Sequence, residues 1–317
     1  MPSKTLAQYA LMSQDKLQRG VFIGIQTEEE LSKKLMFDTM EGNALLYDYE
    51  ATLPTAGTFA LGGTLASTGG TVTQATATLK RVYSQTDVDR YVMQTRSNIN
   101  DQLTQARLDA AKAMSRKFAD LVINGDLTVN DQEFDGLEAF CRDLTRMMAM
   151  DDGVIDGPGT AETELTMDRL DAMIDQVRPG RPDCLVMNRT MRRKLTALSR
   201  ATGSGVLQTS LDKFGVHVVM YDDIPIVIDD WISNAEQYAD AATWPSSTAT
   251  TIFAVKFGKE KQGFTILHNG PVLTPDWRLV GELEDYDENR YRMTVYVTSA
   301  LWSPLAVAAL GGIDSTA

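Results

Sequence analysis

Histidine and cysteine are scarce in this sequence of 317 residues, which contains two of each. Cys141 and Cys184 belong to no CxxC pair and to no disulfide framework, so the sequence predicts a protein kept in a reducing compartment. His217 and His268 lie in or beside predicted strands, without a cysteine or carboxylate at metal-ligand spacing. A structural role is therefore more common for such histidines than a catalytic or metal-binding one.

Long apolar runs are also missing. No uncharged stretch of about twenty large apolar residues is present, which excludes a membrane-spanning helix of ordinary length. The N-terminal sequence lacks the apolar core and the cleavage site of a signal peptide. We therefore expect a soluble protein that is made inside the cell and has no membrane partner.

Recognisable catalytic motifs are absent as well. The sequence has no GxSxG, HExxH, Walker A or GxGxxG motif. The Gly203-Ser204-Gly205 segment lacks the Lys-Ser/Thr that follows in a phosphate-binding loop, so it indicates an ordinary loop. Because no nucleophile and base can be paired, we expect no enzymatic activity and no cofactor.

The balance of charge is acidic, with a formal net charge of -13 and a pI near 4.7. This charge argues against a nucleic-acid groove, which needs a concentrated positive field. The dense basic run at Arg189, Arg192, Arg193 and Lys194 is typical of a solvated helix face, and a functional anion site is the less common alternative.

The densest acidic group predicts a solvated loop. Clustered carboxylates could also bind a hard cation such as Ca²⁺, but the spacing and central glycine of an EF-hand are missing. The members of this group are Glu282, Glu284, Asp285, Asp287 and Glu288.

A stretch without charge separates Glu50 from Lys80 and is 29 residues long. Its second half, Thr71 to Leu79, alternates as a strand does, and Ser67 to Gly70 supplies a turn. The pattern predicts a two-stranded arm, which would lie on another surface because an isolated hairpin is marginally stable. The alternative is a flexible linker rich in Thr, Gly and Ser.

Apolar residues recur at three- and four-residue steps from about Asn98 to Asn124 and predict one long spine helix. At about 1.5 Å per residue, such a helix spans roughly 37 Å.

A helix that begins at Thr27 and includes Leu31, Leu35 and Met36 would belong to an arm that packs on neighbouring subunits, or else to its own subunit's core. The rest of the chain predicts mixed α and β elements: helices at Met167–Val177 and Thr190–Leu198, and strands at Cys184–Met187, Val216–Tyr221, Ile224–Ile228, Thr251–Phe257 paired with Gly263–Leu267, Arg290–Leu301 and Leu305–Leu310.

Four short segments then occur in a recognisable order: Phe134-Asp135-Gly136-Leu137, Met187-Asn188-Arg189-Thr190, Phe214-Gly215-Val216 continuing to Pro225, and Glu288-Asn289-Arg290 continuing to Ser303-Pro304-Leu305-Ala306. With the arm and the spine helix before them, they resemble the major capsid protein of tailed bacteriophages, which has the Hong Kong-type capsid fold. The resemblance extends over nearly the whole chain.

The resemblance implies an α+β fold class and a division of the chain into five parts. These would be an N-terminal arm (1–46), an extended loop or E-loop (47–81), a P-domain with the spine helix (82–135), an A-domain (136–277), and strands that return to the P-domain with a C-terminal tail (278–317). The loop would lie across an adjacent subunit. Covalent cross-linking of the loop is not expected, because no lysine lies between residues 35 and 79.

The resemblance also implies the residues that meet other subunits. The intersubunit contacts of the extended loop would be made by Phe59, Leu61, Leu65, Val72 and Leu79. The segment Leu198 to Leu211 would form a loop near the five-fold and six-fold axes, with Gly203, Ser204 and Gly205 at its centre.

The function implied is that of a shell subunit that assembles with itself into pentamers and hexamers. The icosahedral shell would enclose double-stranded phage DNA without sequence-specific binding, as a virion capsid assembled in the cytoplasm of a bacterial host. A separate scaffolding protein, a portal and decoration proteins are the further partners expected. The alternatives are an encapsulin-like compartment with a protein cargo and, more distantly, an acidic metal-dependent enzyme.

Overall fold

The computed structural model describes residues 31, 34–52, 54–58, 69–96, 102–155, 162–203, 207–211, 217–236, 248–259, 263–269 and 276–316. The helices are α1 (Arg90–Arg96), α2 (Gln102–Asn124), α3 (Leu137–Asp143), α4 (Met167–Ile174) and α5 (Arg189–Thr202). The strands are β1 (Phe37–Thr39), β2 (Ala44–Thr52), β3 (Thr71–Thr78), β4 (Lys80–Asp89), β5 (Met147–Ala149), β6 (Cys184–Met187), β7 (Leu207–Leu211), β8 (His217–Tyr221), β9 (Ile224–Ile228), β10 (Ala249–Val255), β11 (Phe264–Asn269), β12 (Asp276–Glu282), β13 (Glu288–Leu301) and β14 (Val307–Asp314). No helix in these ranges is both long and apolar enough to cross a membrane.

The predicted spine helix is confirmed as α2, which runs unbroken to Asn124; residues 98–101 of the prediction lie outside the described residues. Its buried face follows the expected four-residue steps through Ala106, Ala110 and Met114, and Leu121 continues the same face. This face packs against β4 and β13 in one large core.

A five-stranded sheet lies beneath the spine helix, with β13 at its centre. The strand β4 pairs with one edge of β13, while β12 and β11 share the other edge, and β1 continues beyond β11. Alternating residues of β13, including Met293, Val295 and Val297, are buried toward α2. On the opposite face of these two strands, Arg81, Tyr83 and Tyr296 are exposed in the part of the chain that the structure describes.

The seven-stranded sheet, in the order β5-β14-β10-β6-β9-β8-β7, is buried on both faces in its middle. In β6, Cys184 and Val186 contribute to the core shared with the spine helix, and Leu185 and Met187 contribute to a second core with α4 and α5. This arrangement explains why the strand is a continuous apolar run. The predicted helices near α4 and α5 and the predicted strands at β6, β8 and β9 are confirmed.

The predicted division of the C-terminal half is corrected by the sheets. The two strands expected to pair, β10 and β11, lie in different sheets, and the chain crosses between them near Gly263. Thus β11 belongs with β13 although the prediction placed it in the A-domain, and β14 joins β10 and β5 instead of returning to the five-stranded sheet. Sequence periodicity identifies a strand but not the edge with which it pairs.

Part of the expected N-terminal arm packs on its own chain. Leu31 and Lys34 are helical, and the side chains of Leu31 and Leu35 are buried in the core beside the spine helix. The beginning of that helix at Thr27 lies outside the described residues. For the described part, the structure favours the alternative in which this helix belongs to its own subunit.

Candidate assembly surfaces

The arm is present as a separate two-stranded sheet, but its strands are connected by residues 53–70 and not by the predicted turn at Ser67 to Gly70. The strands β2 and β3 pair antiparallel from Ala44 opposite Thr78 to Thr52 opposite Thr71. The second strand lies where the alternation predicts it. The first strand begins at Ala44, before the charge-free stretch, and therefore includes the charged residues Asp48 and Glu50.

The base of this hairpin is held by its own subunit. Tyr47 and Ala77 are buried in a small apolar cluster, where the ring of Tyr47 lies 5.1 Å from that of Trp302 between centroids. The backbone N–H of Leu301 also donates to the hydroxyl of Tyr47 at 3.4 Å. Leu79 is half-buried against the same cluster, so its side chain contacts the body of its own chain.

The outer part of the hairpin is exposed. Val72 is 65% exposed, Leu46 is 61% exposed, and residues 54–58 are all exposed. No third strand pairs with β2 or β3 among the described residues. Phe59, Leu61 and Leu65 lie outside the described residues, so their contacts with a neighbouring subunit stay a prediction, as does that of Val72.

The predicted axial loop is shorter than expected. The helix α5 continues to Thr202, and β7 begins at Leu207 and pairs with β8, so both ends of the Leu198–Leu211 segment are regular. Gly203 ends α5 with a left-handed φ of 64°, which glycine adopts without strain. Ser204 and Gly205 lie outside the described residues, and the position of this loop near a symmetry axis stays a prediction.

The acidic group is the tip of the β12–β13 hairpin. Arg90 forms ion pairs with Glu282 and with Asp287, and the Arg90–Asp287 distance is 3.5 Å. Glu284 and Asp285 are exposed at the turn itself. The described residues contain no group of three or more histidine, cysteine or acidic side chains arranged to bind a metal ion.

The basic run and the lone cysteines and histidines do not converge on one site. Arg189 forms a two-pronged pair with Asp230 at 2.8 and 3.1 Å. Both cysteines are buried with free thiols, and burial raises the pKa of Cys184 to about 12. His268 lies at the edge of the ring of Phe37, with a distance of 6.4 Å between centroids.

Sequence reasoning missed a charged cluster where α2 leads into α3. Arg142 donates to Asp126 at 2.6 Å. Burial favours a higher pKa for Asp126, but hydrogen bonds from Arg142 and Thr128 outweigh it and hold the pKa at about 2. Burial raises the pKa of Glu138 to about 7, and attraction by Arg142 offsets this only in part. The i, i+4 spacing of Glu138 and Arg142 was the available signal.

Gly136 brings the two ends of this connection together. Its N–H donates to the carbonyl of Gly125 at 2.7 Å, and a Cβ at position 136 would lie 2.6 Å from the carbonyl oxygen of Ile123. The Phe134 to Leu137 segment therefore has a local steric reason for its glycine.

Several solved structures with a similar architecture are capsid or encapsulin chains. The holo-SrpI encapsulin complex from Synechococcus elongatus PCC 7942 superposes with a TM-score of 0.70 at 15% identity, covering 100% of this chain and 98% of that chain. The cyanophage A-1(L) capsid gives a TM-score of 0.65 at 16% identity, covering 91% of this chain and 94% of that chain. The capsid of the native GTA particle gives 0.58 at 14% identity, covering 91% of each chain.

No protein-family model and no curated protein matches the sequence. At the identities found, structural likeness establishes the fold. The chain has the α+β Hong Kong-type capsid fold, as the sequence resemblance implied.

Proposed function

We propose that this chain is a phage major capsid protein, which assembles with itself into pentamers and hexamers of an icosahedral shell around double-stranded DNA. The observation that carries the proposal is the hairpin of β2 and β3, anchored at its base by Tyr47 and exposed beyond it. Such a two-stranded sheet is marginally stable without cover. A neighbouring subunit would provide that cover.

The mechanism is repetition of one contact between subunits, closed by symmetry. The arm suits such a contact because β3 and the residues around it carry no charge between Glu50 and Lys80. Burial of this segment against a neighbour therefore avoids the desolvation of ions. Each large apolar side chain that becomes fully buried contributes about 1.5–3 kcal/mol before the costs of association.

The shell would confine DNA by its wall instead of gripping it. A chain with a formal net charge of -13 repels phosphates over most of its surface. Filling and closing such a shell would involve a separate scaffolding protein, a portal and decoration proteins. Assembly would take place in the cytoplasm of the bacterial host, and the protein would have no enzymatic role.

The second candidate is an encapsulin-like compartment that holds a protein cargo. The observation that favours it is the superposition on the Synechococcus encapsulin over the full length of this chain, with a TM-score of 0.70. The two candidates share the subunit contacts and differ in what the shell contains.

Particles purified from cells that carry the gene in its native context distinguish the candidates. Negative-stain microscopy should show closed shells, and the phage function predicts DNA that survives external nuclease. Shells that contain a protein cargo and no protected DNA would instead support the compartment. A chain that remains monomeric at every concentration would contradict both.

A further inference from the structure

An open groove of about 580 Å³ lies on the outer face of the five-stranded sheet, beside the base of the hairpin. Its cations are Lys80, Arg81, Arg278 and Arg292, and none of the described residues that line it is acidic. In a chain with a formal net charge of -13, this local excess of positive charge requires an explanation.

The register of three strands places the arginines side by side. Arg278 of β12 lies directly opposite Arg292 of β13, and Arg292 lies opposite Gln85 of β4. The side-chain oxygen of Gln85 accepts two hydrogen bonds from Arg292, at 2.9 and 3.2 Å. Like charges directly opposite each other destabilise a sheet, so the fold tolerates a local cost here.

No carboxylate among the described residues forms an ion pair with Arg278 or with Arg292. The contrast is Arg290, two positions along the same strand, which forms a two-pronged pair with Asp87 with both distances at 2.8 Å. That pair also holds the pKa of Asp87 below its ordinary value. Arg278 and Arg292 therefore remain available to an external anion, whereas the charge of Arg290 is neutralised by Asp87.

Aromatic rings accompany these cations. The guanidinium carbon of Arg81 lies 5.5 Å from the centroid of the Tyr296 ring. Tyr83, on the strand β4, is 64% exposed on the same face. A matching ligand would therefore present carboxylates next to an aromatic side chain.

The turn between β12 and β13 presents that combination. Glu284, Asp285 and Tyr286 are consecutive and exposed, with Tyr286 at 68%. The backbone N–H of Leu283 donates to the carbonyl of Glu288 at 3.1 Å, which holds the turn in one shape. A turn ordered in advance loses little entropy on docking.

The turn cannot reach the groove of its own subunit. The strands β12 and β13 stay paired as far as Glu282 opposite Asn289, and Arg278 lies four residues before Glu282. At about 3.3 Å per residue, the turn lies roughly 13 Å beyond Arg278 and extends away from it. The turn that fills the groove must belong to another copy.

We propose that the Glu284–Tyr286 turn of one subunit docks into the groove lined by Arg278 and Arg292 of the next subunit. The inference rests on the proposed shell function and adds a specific contact to it. Because the two surfaces differ, the contact is head-to-tail and generates a ring when the rotation closes. A polyanion such as nucleic acid is a poorer occupant, because the surrounding chain is acidic.

Charge reversal of the groove and of the turn, first separately and then together in one chain, tests the contact in the full-length protein. The groove variant is Arg278→Glu with Arg292→Glu, the turn variant is Glu284→Lys with Asp285→Lys, and the fourfold variant combines them. The charge-preserving control is Arg278→Lys with Arg292→Lys. Sedimentation and electron microscopy measure the protein concentration at which shells form, and circular dichroism checks folding.

We expect each double reversal to raise that concentration about tenfold or more, with folding unchanged. The fourfold variant, whose charges are again complementary, should recover much of the loss, and the lysine control should assemble. If the wild-type chain forms shells and the groove variant assembles equally well, the proposed docking is overturned and the shell function is not. Normal shells with less bound nucleic acid would assign the groove to nucleic acid and also overturn it. A wild-type chain that never associates would contradict the shell function as well.

Discussion

The half-buried carboxyl of Glu138 should make the stability of the subunit fall as pH rises through the weakly acidic range. Its pKa is about 7 in the folded chain, against an ordinary value of 4.5. Burial is the main cause, because Glu138 is half-buried in the first turn of α3. The folded chain therefore retains a proton that the unfolded chain has already released.

The sign follows from proton binding in the two states. Below the ordinary pKa both states are protonated, and Glu138 contributes no pH dependence. Between the ordinary value of 4.5 and the folded value of about 7, the folded state binds more protons, so the free energy of unfolding decreases as pH rises. At roughly 1.4 kcal/mol per pKa unit, the loss amounts to about 3 kcal/mol above neutrality.

Glu138→Gln should remove this dependence. The amide has nearly the same shape and no charge, so we expect the variant to match the wild type near pH 4.5 and to exceed it by about 3 kcal/mol above pH 7.5. Urea unfolding of unassembled subunits, measured in steps of pH between those values, gives the comparison directly.

The neighbouring carboxylate Asp126 does not confuse the result. Its pKa of about 2 is below the ordinary value of 3.8, so the stability that it contributes is present at higher pH and is lost only as pH falls toward 2. Glu41→Gln, at an exposed position, is the matched control. A difference between Glu138→Gln and wild type that stays constant across pH would refute the reasoning.

Three other substitutions test the fold and the arm. Ile123→Ala, at a fully buried position of α2, should lower the free energy of unfolding by about 2–5 kcal/mol, whereas Leu108→Ala, on the half-exposed face, should cost far less; similar losses in urea unfolding would contradict the packing. Gly136→Ala should cost about 1–3 kcal/mol in the same assay because its Cβ would lie 2.6 Å from a backbone oxygen, and an unchanged midpoint would show that the close approach is absent. Val72→Asp should leave subunit stability within about 0.5 kcal/mol and impair shell formation, so normal particles by electron microscopy would contradict the arm contact.

The groove and the Glu138 cluster show what a linear pattern cannot reveal. Arg81, Arg278 and Arg292 come from three strands, and Arg81 and Arg278 are almost 200 residues apart in sequence. Only the pairing of β4 and β12 with opposite edges of β13 brings them to one face. Likewise, Glu138 has the sequence context of an ordinary helix N-terminus, and its raised pKa comes from its burial in the folded chain.

Local physics was enough to predict many individual elements. The three- and four-residue spacing of α2 needs only helical geometry, and the alternation of Thr71 to Thr78 needs only the pleat of a strand. Asp222 and Asp223 both adopt positive φ, at 46° and 64°, in the two-residue turn between β8 and β9. Their tolerance of that conformation is a property of the residue type.

Tertiary structure alone decided which strands share a sheet and which surfaces remain open. The chain crosses from one sheet to the other between β10 and β11 and again between β13 and β14. The reason is physical: periodicity depends on neighbours a few residues away, whereas strand pairing depends on edges that meet only after the chain has collapsed. The anchoring of the hairpin through Tyr47 and Trp302 is a contact of that second kind.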